Sequence, residues 1–353
     1  MSDWRENIRH VKPYTPGEQP TGESIVKLNT NENPYPPAPE VEEALREAAQ
    51  ESGLLRKYPD PEAGELVRAL AAFYGLSPDQ VFVGVGSDDV LALSFLTFFH
   101  SFKPLLFPDI TYSFYEVWAR LFHIPFVKIP LDADFRLRKE DYFQENGGII
   151  FPNPNAPTGI EESLADIEEI LRRNPGSVVI VDEAYVDFGA KSAVELTRRY
   201  DNLLVVQTFS KSRSMAGVRI GFALGQPELI RALNDVKYSF NSYTMSRLAI
   251  KAGAAALKNR AYFEQTTGKI AADREKAKDR LRQLGFQCTD SRTNFLFVTH
   301  PAWEAAKLYE DLKRENIYVR YFRQPRIDNY LRITIGTEEE MEKLYRFLAA
   351  YKG

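Results

Sequence analysis

The chain has 353 residues, 44% of them hydrophobic and 27% charged, an ordinary globular composition with room for one large and one smaller domain. A net charge of −4 gives no electrostatic case for nucleic acid or an anionic membrane surface as a partner. The single cysteine, Cys288, excludes an intrachain disulfide, and the four histidines (His10, His100, His123, His300) show no metal-ligand spacing, so no metal is expected.

The start, "MSDWRENIRH", is polar and has no apolar signal core. Residues 1–39 are rich in proline and asparagine ("VKPYTPGEQPTG", "NTNENPYPPAPE") and read as an extended arm. A helix is expected at 39–50, opened by its proline. Strands and helices then alternate: "VFVGVG" (81–86) into helix 88–101, and "PLLFPD" (104–109) into "SFYEVWARLF" (113–122). Next come "PFVKIPL" (125–131), "GGIIFPNP" (147–154), helix 161–173, "SVVIVDEAYV" (177–186), "NLLVVQTF" (202–209) and "RIGFAL" (219–224). Short β-branched runs between amphipathic helices predict an α/β domain with a mainly parallel central sheet flanked by helices. The most apolar segment, "VLALSFLTFF" (90–99), is too short to span a bilayer and reads as a core helix. Residues 227–284 are helical in pattern up to Gly285, a helix stop. "NFLFVT" (294–299), helix 302–315, "YLRITIG" (330–336) and helix 338–351 then form a smaller α+β unit. The expected division is an arm at 1–39, a large domain at 40–245 and a small domain at 246–353. A cytoplasmic, soluble protein is the expectation.

In open α/β sheets ligands sit outside the carboxyl ends of the strands, and here four strands end in unusual polar residues. "VFVGVGSDDV" puts Gly86, Ser87 and Asp88 at a helix start, where free N–H groups favour a phosphate, or where Ser87 or Asp88 caps the helix. "IIFPNPNAPTG" fixes asparagines between prolines, as an ordinary turn does or as a rigid mount for an amide. "VVIVDEAYVDF" ends an apolar strand in Asp182, Glu183 and Tyr185, and an acid there is costly unless paired with a cation. A nucleotide-binding α/β protein would need a phosphate loop. The chain lacks G-x-x-x-x-G-K-[ST], and Asp89 stands where the third glycine of G-x-G-x-x-G belongs. "TFSKSRSMAGVRIGF" sets Lys211 among hydroxyls, with Gly217 expected to turn the chain so that Arg219 points back. Phosphate cradle, carboxylate, phenol, lysine and arginine are together what pyridoxal phosphate requires.

At these residues the sequence resembles the fold-type I pyridoxal-phosphate aminotransferases, and within them the histidinol-phosphate aminotransferases. The motifs "LNTNENPYPP", "KYPDP", "GVGSDD", "FPDITYSFY", "FPNPNAPTG", "VDEAYVDF", "TFSKSRSMAGVRIGF" and "YLRITIGT" carry it over nearly the whole chain. The resemblance implies that Lys211 is the Schiff-base amine and proton shuttle. Asp182 would pair with the pyridine nitrogen, and Tyr185 and Asn155 would hydrogen-bond the phenolic oxygen. Tyr112 would stack on the ring. Gly86, Ser87, Asp88, Ser210 and Arg219, with Thr208, would hold the cofactor phosphate. Tyr58 would reach that phosphate from the other subunit of a homodimer.

For the substrate the resemblance implies Arg332 at the carboxylate or phosphate, Arg320 beside it, and Tyr14 and Asn33 closing over, with Asn155 and Tyr112 in reach. Arg323 and Arg326 read as surface loop residues. The implied reaction moves the amino group of L-histidinol phosphate to 2-oxoglutarate, giving imidazole acetol phosphate and L-glutamate by a ping-pong route. Aromatic amino acid aminotransferases and threonine-phosphate decarboxylases share these motifs and are the alternatives. The stretch from Tyr321 to Asn329 departs from the glycine-rich loop of many relatives.

Overall fold

The computed structural model describes residues 3–22 and 24–353. In chain order its elements begin with β1 (Val26–Lys27), α1 (Pro39–Gln50), α2 (Gly64–Tyr74), β2 (Val81–Gly84) and α3 (Ser87–Phe98). There follow β3 (Leu105–Pro108), α4 (Phe114–Leu121), β4 (Phe126–Ile129), β5 (Gly148–Pro152), α5 (Leu164–Arg173), β6 (Val179–Asp182), β7 (Leu203–Thr208) and β8 (Gly221–Gly225). Three helices come next: α6 (Pro227–Phe240), α7 (Arg247–Ala256) and α8 (Arg260–Gln283). The chain finishes with β9 (Gln287–Cys288), β10 (Phe295–Thr299), α9 (Ala305–Arg314), β11 (Ile317–Tyr318), β12 (Arg320–Tyr321), β13 (Leu331–Thr334) and α10 (Glu338–Ala350).

The large sheet has the order β2-β8-β7-β6-β5-β3-β4 and is parallel except at β8, which runs against both neighbours. Its central strands β5, β6 and β7 are buried at every position, which is why their sequences are unbroken apolar runs rather than alternating ones. Helices cover both faces, giving two apolar cores, one including Leu66, Val181 and Ile220 and the other Phe95, Ile180 and Val206. The strand expected over 177–186 stops at Asp182, because the chain turns there into a short 3-10 helix, Val186–Phe188. That turn lifts Tyr185 out of the sheet at its carboxyl edge.

The second sheet, β12-β13-β10-β9, is antiparallel and packs with α8, α9 and α10 around its own core of Leu296, Ile333 and Leu344. Thr337 caps α10 reciprocally with Glu340, fixing where that helix starts. The cores divide the chain differently from the expected boundaries. Helix α7 places Ala249, Ile250 and Ala252 in a large-sheet core, so the change of domain falls after it rather than at 245/246. At the other end, β1 pairs in parallel with β11, and Val26 and Leu28 sit in the small-domain core. Only the earlier part of the arm is extended surface chain; residues 26–33 are a strand and loop of the small domain. Their "VKLN" pattern is too short to announce a strand, and its partner lies at the far end of the sequence. Among the described residues, no helix is long and apolar enough to cross a membrane.

Candidate active site

Where the carboxyl ends of the large sheet meet the small domain there is a cavity of about 280 Å³. Its walls come from α3, the loop before α4, the turns after β6 and β7, the arm, and β12–β13. Twelve of the sequence-expected residues line it. Ser87, Asp88, Thr208, Ser210 and Arg219 form one wall, Tyr14, Tyr112, Asp182, Tyr185 and Lys211 the middle, and Arg320 and Arg332 the small-domain side.

The first wall is an anion cradle built by close backbone approach. Gly86 has φ +86°, and a Cβ there would lie 2.3 Å from an Arg219 guanidinium nitrogen. A Cβ on Gly221 would lie 2.3 Å from Ser87 N, so only glycine lets β8 pass against the first turn of α3. The Arg219 side chain reaches Ser210 Oγ at 3.3 Å and Asp88 at 3.5 Å. The turn that aims it differs from the expected one. Gly217 has ordinary backbone and open space around it, whereas Arg219 itself is left-handed at φ 59°. The arginine supplies its own turn, and its hydrogen bonds back to the Ala216 carbonyl and Ser210 hold the conformation.

Lys211 is half-buried, its Nζ donating to the Thr30 carbonyl at 3.0 Å. Burial first, and then the Arg332 guanidinium, lower its pKa to about 8. Asp182 is 4% exposed, and burial raises its carboxyl to about 6 although the Tyr115 hydroxyl donates to it at 2.7 Å. The Tyr185 hydroxyl accepts from Asn31 Nδ2 at 2.9 Å, which leaves its own hydrogen free to donate. Tyr112 donates to Asp88 at 2.9 Å and stands edge-on to Tyr14.

On the small-domain side, Arg320 and Arg332 are direct partners across the β12–β13 pair. Like charges set opposite each other destabilise a strand pair. Among the described residues neither arginine has a carboxylate within salt-bridge distance. Arg332 donates to the Asn29 carbonyl at 3.0 Å, while its buried Nε has no partner. A half-buried, incompletely bonded guanidinium beside a second cation is a site for an anion.

Four expected residues do not face the cavity. Gly86 lies beneath Arg219 as described. The Asn155 amide donates to the Ile110 carbonyl and Thr158 Oγ1, and its Oδ1 is buried without a partner among the described residues. Asn33 donates to the carbonyls of Lys211 and Ser212, holding the lysine's loop. Tyr58 is 76% exposed and stacks on Tyr243. Arg326 is an exposed loop residue, as expected, but a tethered one: its guanidinium bonds Asp109 Oδ2 at 3.0 Å and the carbonyls of Leu131 and Asp132. Arg323 is exposed, as expected.

Sequence reasoning missed Thr30, Asn31, Glu32, Tyr115 and Phe322. Tyr115 had a signal, since Tyr112 and Tyr115 in "TYSFY" share a helical spacing. Asn31 had none beyond its place in "NTNENP".

Comparison with known proteins agrees with this geometry. The profile of the family described as aminotransferase class I and II matches residues 23–348. The histidinol-phosphate aminotransferase of Lactococcus lactis subsp. cremoris is 52% identical over 348 residues, 99% of this chain and 97% of that one. Its counterpart in Clostridium acetobutylicum is 51% identical over 340 residues, 96% of each chain. The crystal structure of the Sinorhizobium meliloti histidinol-phosphate aminotransferase, in complex with pyridoxal-5'-phosphate, superposes with a TM-score of 0.84 at 26% identity, covering 92% of this chain and 90% of that one. A matching profile over most of the sequence, with relatives about half identical over nearly its whole length, identifies the chain as a member of the class I and II aminotransferases.

Proposed function

We propose that this chain is a pyridoxal-phosphate-dependent aminotransferase converting L-histidinol phosphate and 2-oxoglutarate to imidazole acetol phosphate and L-glutamate. The carrying observation is the arrangement of two anion sites around Lys211, a cradle from the large domain and an unpaired arginine couple from the small one. Both a cofactor phosphate and a substrate phosphate then have a place. The identity of about half the residues with histidinol-phosphate aminotransferases supports the same substrate.

The residues fit the cofactor. The approach that only Gly86 and Gly221 permit leaves backbone N–H groups of α3 beside Ser210 and Arg219 for its phosphate. Asp182, ionised above pH about 6, would keep the ring nitrogen protonated, and Tyr185 has a hydrogen to give the phenolic oxygen. When bound, pyridoxal phosphate supplies an aldehyde that exchanges for an amine and a ring that takes up the electron pair released as the substrate C–H bond breaks. Lys211, whose amine is half neutral near pH 8, has the basicity to accept the proton from that carbon and return it elsewhere. Tyr115 orients the Asp182 carboxylate, and Asn31 orients Tyr185. Arg332, with Arg320, would hold the substrate phosphate, and Arg332 the glutamate α-carboxylate in the second half-reaction. Tyr112 and Tyr14 supply aromatic walls.

The active unit we propose is a homodimer working in the cytoplasm, with Tyr58 serving the partner's phosphate cradle. Its exposure, and its absence from the wall of its own cavity, support that role.

The test is the visible spectrum of the purified, cofactor-loaded protein mixed with stoichiometric L-histidinol phosphate and no keto acid. The yellow absorption should bleach, and should barely respond to phenylalanine or threonine phosphate. A spectrum unmoved by histidinol phosphate would end the substrate reading.

A further inference from the structure

The two arginines of the small-domain wall have an aromatic ring beside them that none of the roles above uses. Phe322 lies just past β12 and lines the cavity. The Arg320 guanidinium carbon is 5.7 Å from its ring centroid and that of Arg332 5.6 Å. Arg332 has further supports, the Phe295 ring at 5.2 Å and the Asn29 carbonyl. The Arg320 side chain has no hydrogen bond or salt bridge among the described residues, so the Phe322 ring, with the Tyr14 phenol nearby, is what it has to lean on. The π-face of a ring attracts a cation and lessens the repulsion between two of them held side by side.

The ring is itself firmly held. It meets Phe297 edge-on at 6.2 Å and packs on an apolar cluster drawn from both domains, with Ile110 and Leu131 from one and Phe297 and Ile327 from the other. The loop that follows is bolted to the large domain by Gln324, which donates to the Asp109 carbonyl, and by Arg326 on Asp109 and two further carbonyls. This is the stretch in which the sequence departs from a glycine-rich loop.

We propose that Phe322 is a specificity-determining residue, its ring keeping Arg320 beside Arg332 so that the wall accepts a dianionic phosphate in preference to a single carboxylate. A planar carboxylate is satisfied by one guanidinium in bidentate fashion, and Arg332 can supply that alone. A tetrahedral dianion draws on two. Loss of the ring frees Arg320 selectively and so removes the phosphate's second donor. This deepens the substrate reading above and rests on its placement of the anion at Arg320 and Arg332.

The experiment is calorimetric titration of the cofactor-loaded protein with inorganic phosphate and separately with acetate, for the parent, Phe322→Leu and Phe322→Tyr. Loading the cofactor first keeps phosphate out of the cradle at α3. Phe322→Leu, which keeps apolar volume for the cluster, should weaken phosphate by about tenfold and acetate by less than about twofold, and Phe322→Tyr should stay within about twofold of the parent for both. Kinetically, Phe322→Leu should raise KM for histidinol phosphate with kcat little changed. Phosphate affinity unaltered by the leucine, equal losses for both anions, or a tyrosine variant as impaired as the leucine one would each overturn the proposal. A parent that binds phosphate in this way yet leaves histidinol phosphate untouched would sink the substrate reading instead, and the assignment of Phe322 would stand.

Discussion

The Tyr115 hydroxyl lies 2.7 Å from Asp182 Oδ2, and with the Ala184 backbone N–H at 3.3 Å it is what this buried carboxylate accepts from among the described residues. It offsets burial only in part, so the carboxyl stays raised to about 6, against about 4 for an unfolded aspartate. A folded pKa above the unfolded one gives stability that is complete below pH about 4 and is lost as pH rises through about 6. Asp182→Asn should therefore stabilise the cofactor-free protein above that window by up to about 3 kcal/mol, with the gain fading as pH falls toward 4. Urea unfolding of both proteins across the window measures this. A difference in stability that does not change with pH would refute the ionisation assigned to Asp182.

Lys211→Ala should cut turnover by about 10³-fold or more and abolish any covalent, borohydride-reducible link to the cofactor. In the cofactor-free parent, the Lys211 amine should react with an amine-directed reagent with a midpoint near pH 8. Arg332→Leu should move that midpoint upward, because the guanidinium is the largest contributor after burial. Labelling rates followed by mass spectrometry decide it, and an unmoved midpoint would mean that Arg332 does not act on the amine.

Two neighbouring glycines should behave oppositely. Gly221→Ala forces a Cβ into the backbone of Gly86 and Ser87, and should cost about 1–3 kcal/mol while weakening cofactor binding. Gly217→Ala meets nothing and needs no unusual backbone, so it should be neutral or stabilise by about 0.5 kcal/mol. Unfolding curves and cofactor dissociation constants for the pair would expose an error if Gly217→Ala proved the more harmful.

The proposed service of Tyr58 to a second subunit has a complementation test. Lys211→Ala and Tyr58→Ala chains, each impaired alone, should regain activity when unfolded and refolded together, since a mixed dimer has one intact site. A statistical mixture recovers about a quarter of the parent's activity, as half the dimers are mixed and half their sites intact. No recovery would mean that Tyr58 works within its own subunit or not at all.

The sheet, its helices and most of the site were legible because each rests on local signals. Apolar runs ending in Asp182 or Thr208 mark buried parallel strands and the polar groups at their tips. What was not legible depends on contacts far apart in sequence. Nothing near Asn33 foretells that its amide serves the Lys211 carbonyl, or that the Asn155 amide turns to Ile110. Arg219 was expected to rely on Gly217, since glycine is the usual residue for a turn. An arginine bonded to the carbonyl three residues back and to Ser210 can take the left-handed conformation itself. The domain boundary was missed for the same reason, because α7 looks like its helical neighbours and only its packing on α1 and α2 assigns it.

The pairing of Val26 with Ile317 also sets an order of assembly. During synthesis the segment carrying Thr30 and Asn31 leaves the ribosome long before its strand partner is made. The large sheet, whose strands all lie before residue 226, has its whole core available while the segment still waits. Lys211 is therefore in the chain well before the Thr30 carbonyl can be fixed beside it, and the catalytic chamber closes only once β11 has been made. A chain cut short before Ile317 would keep its large sheet and lack the wall that completes the site.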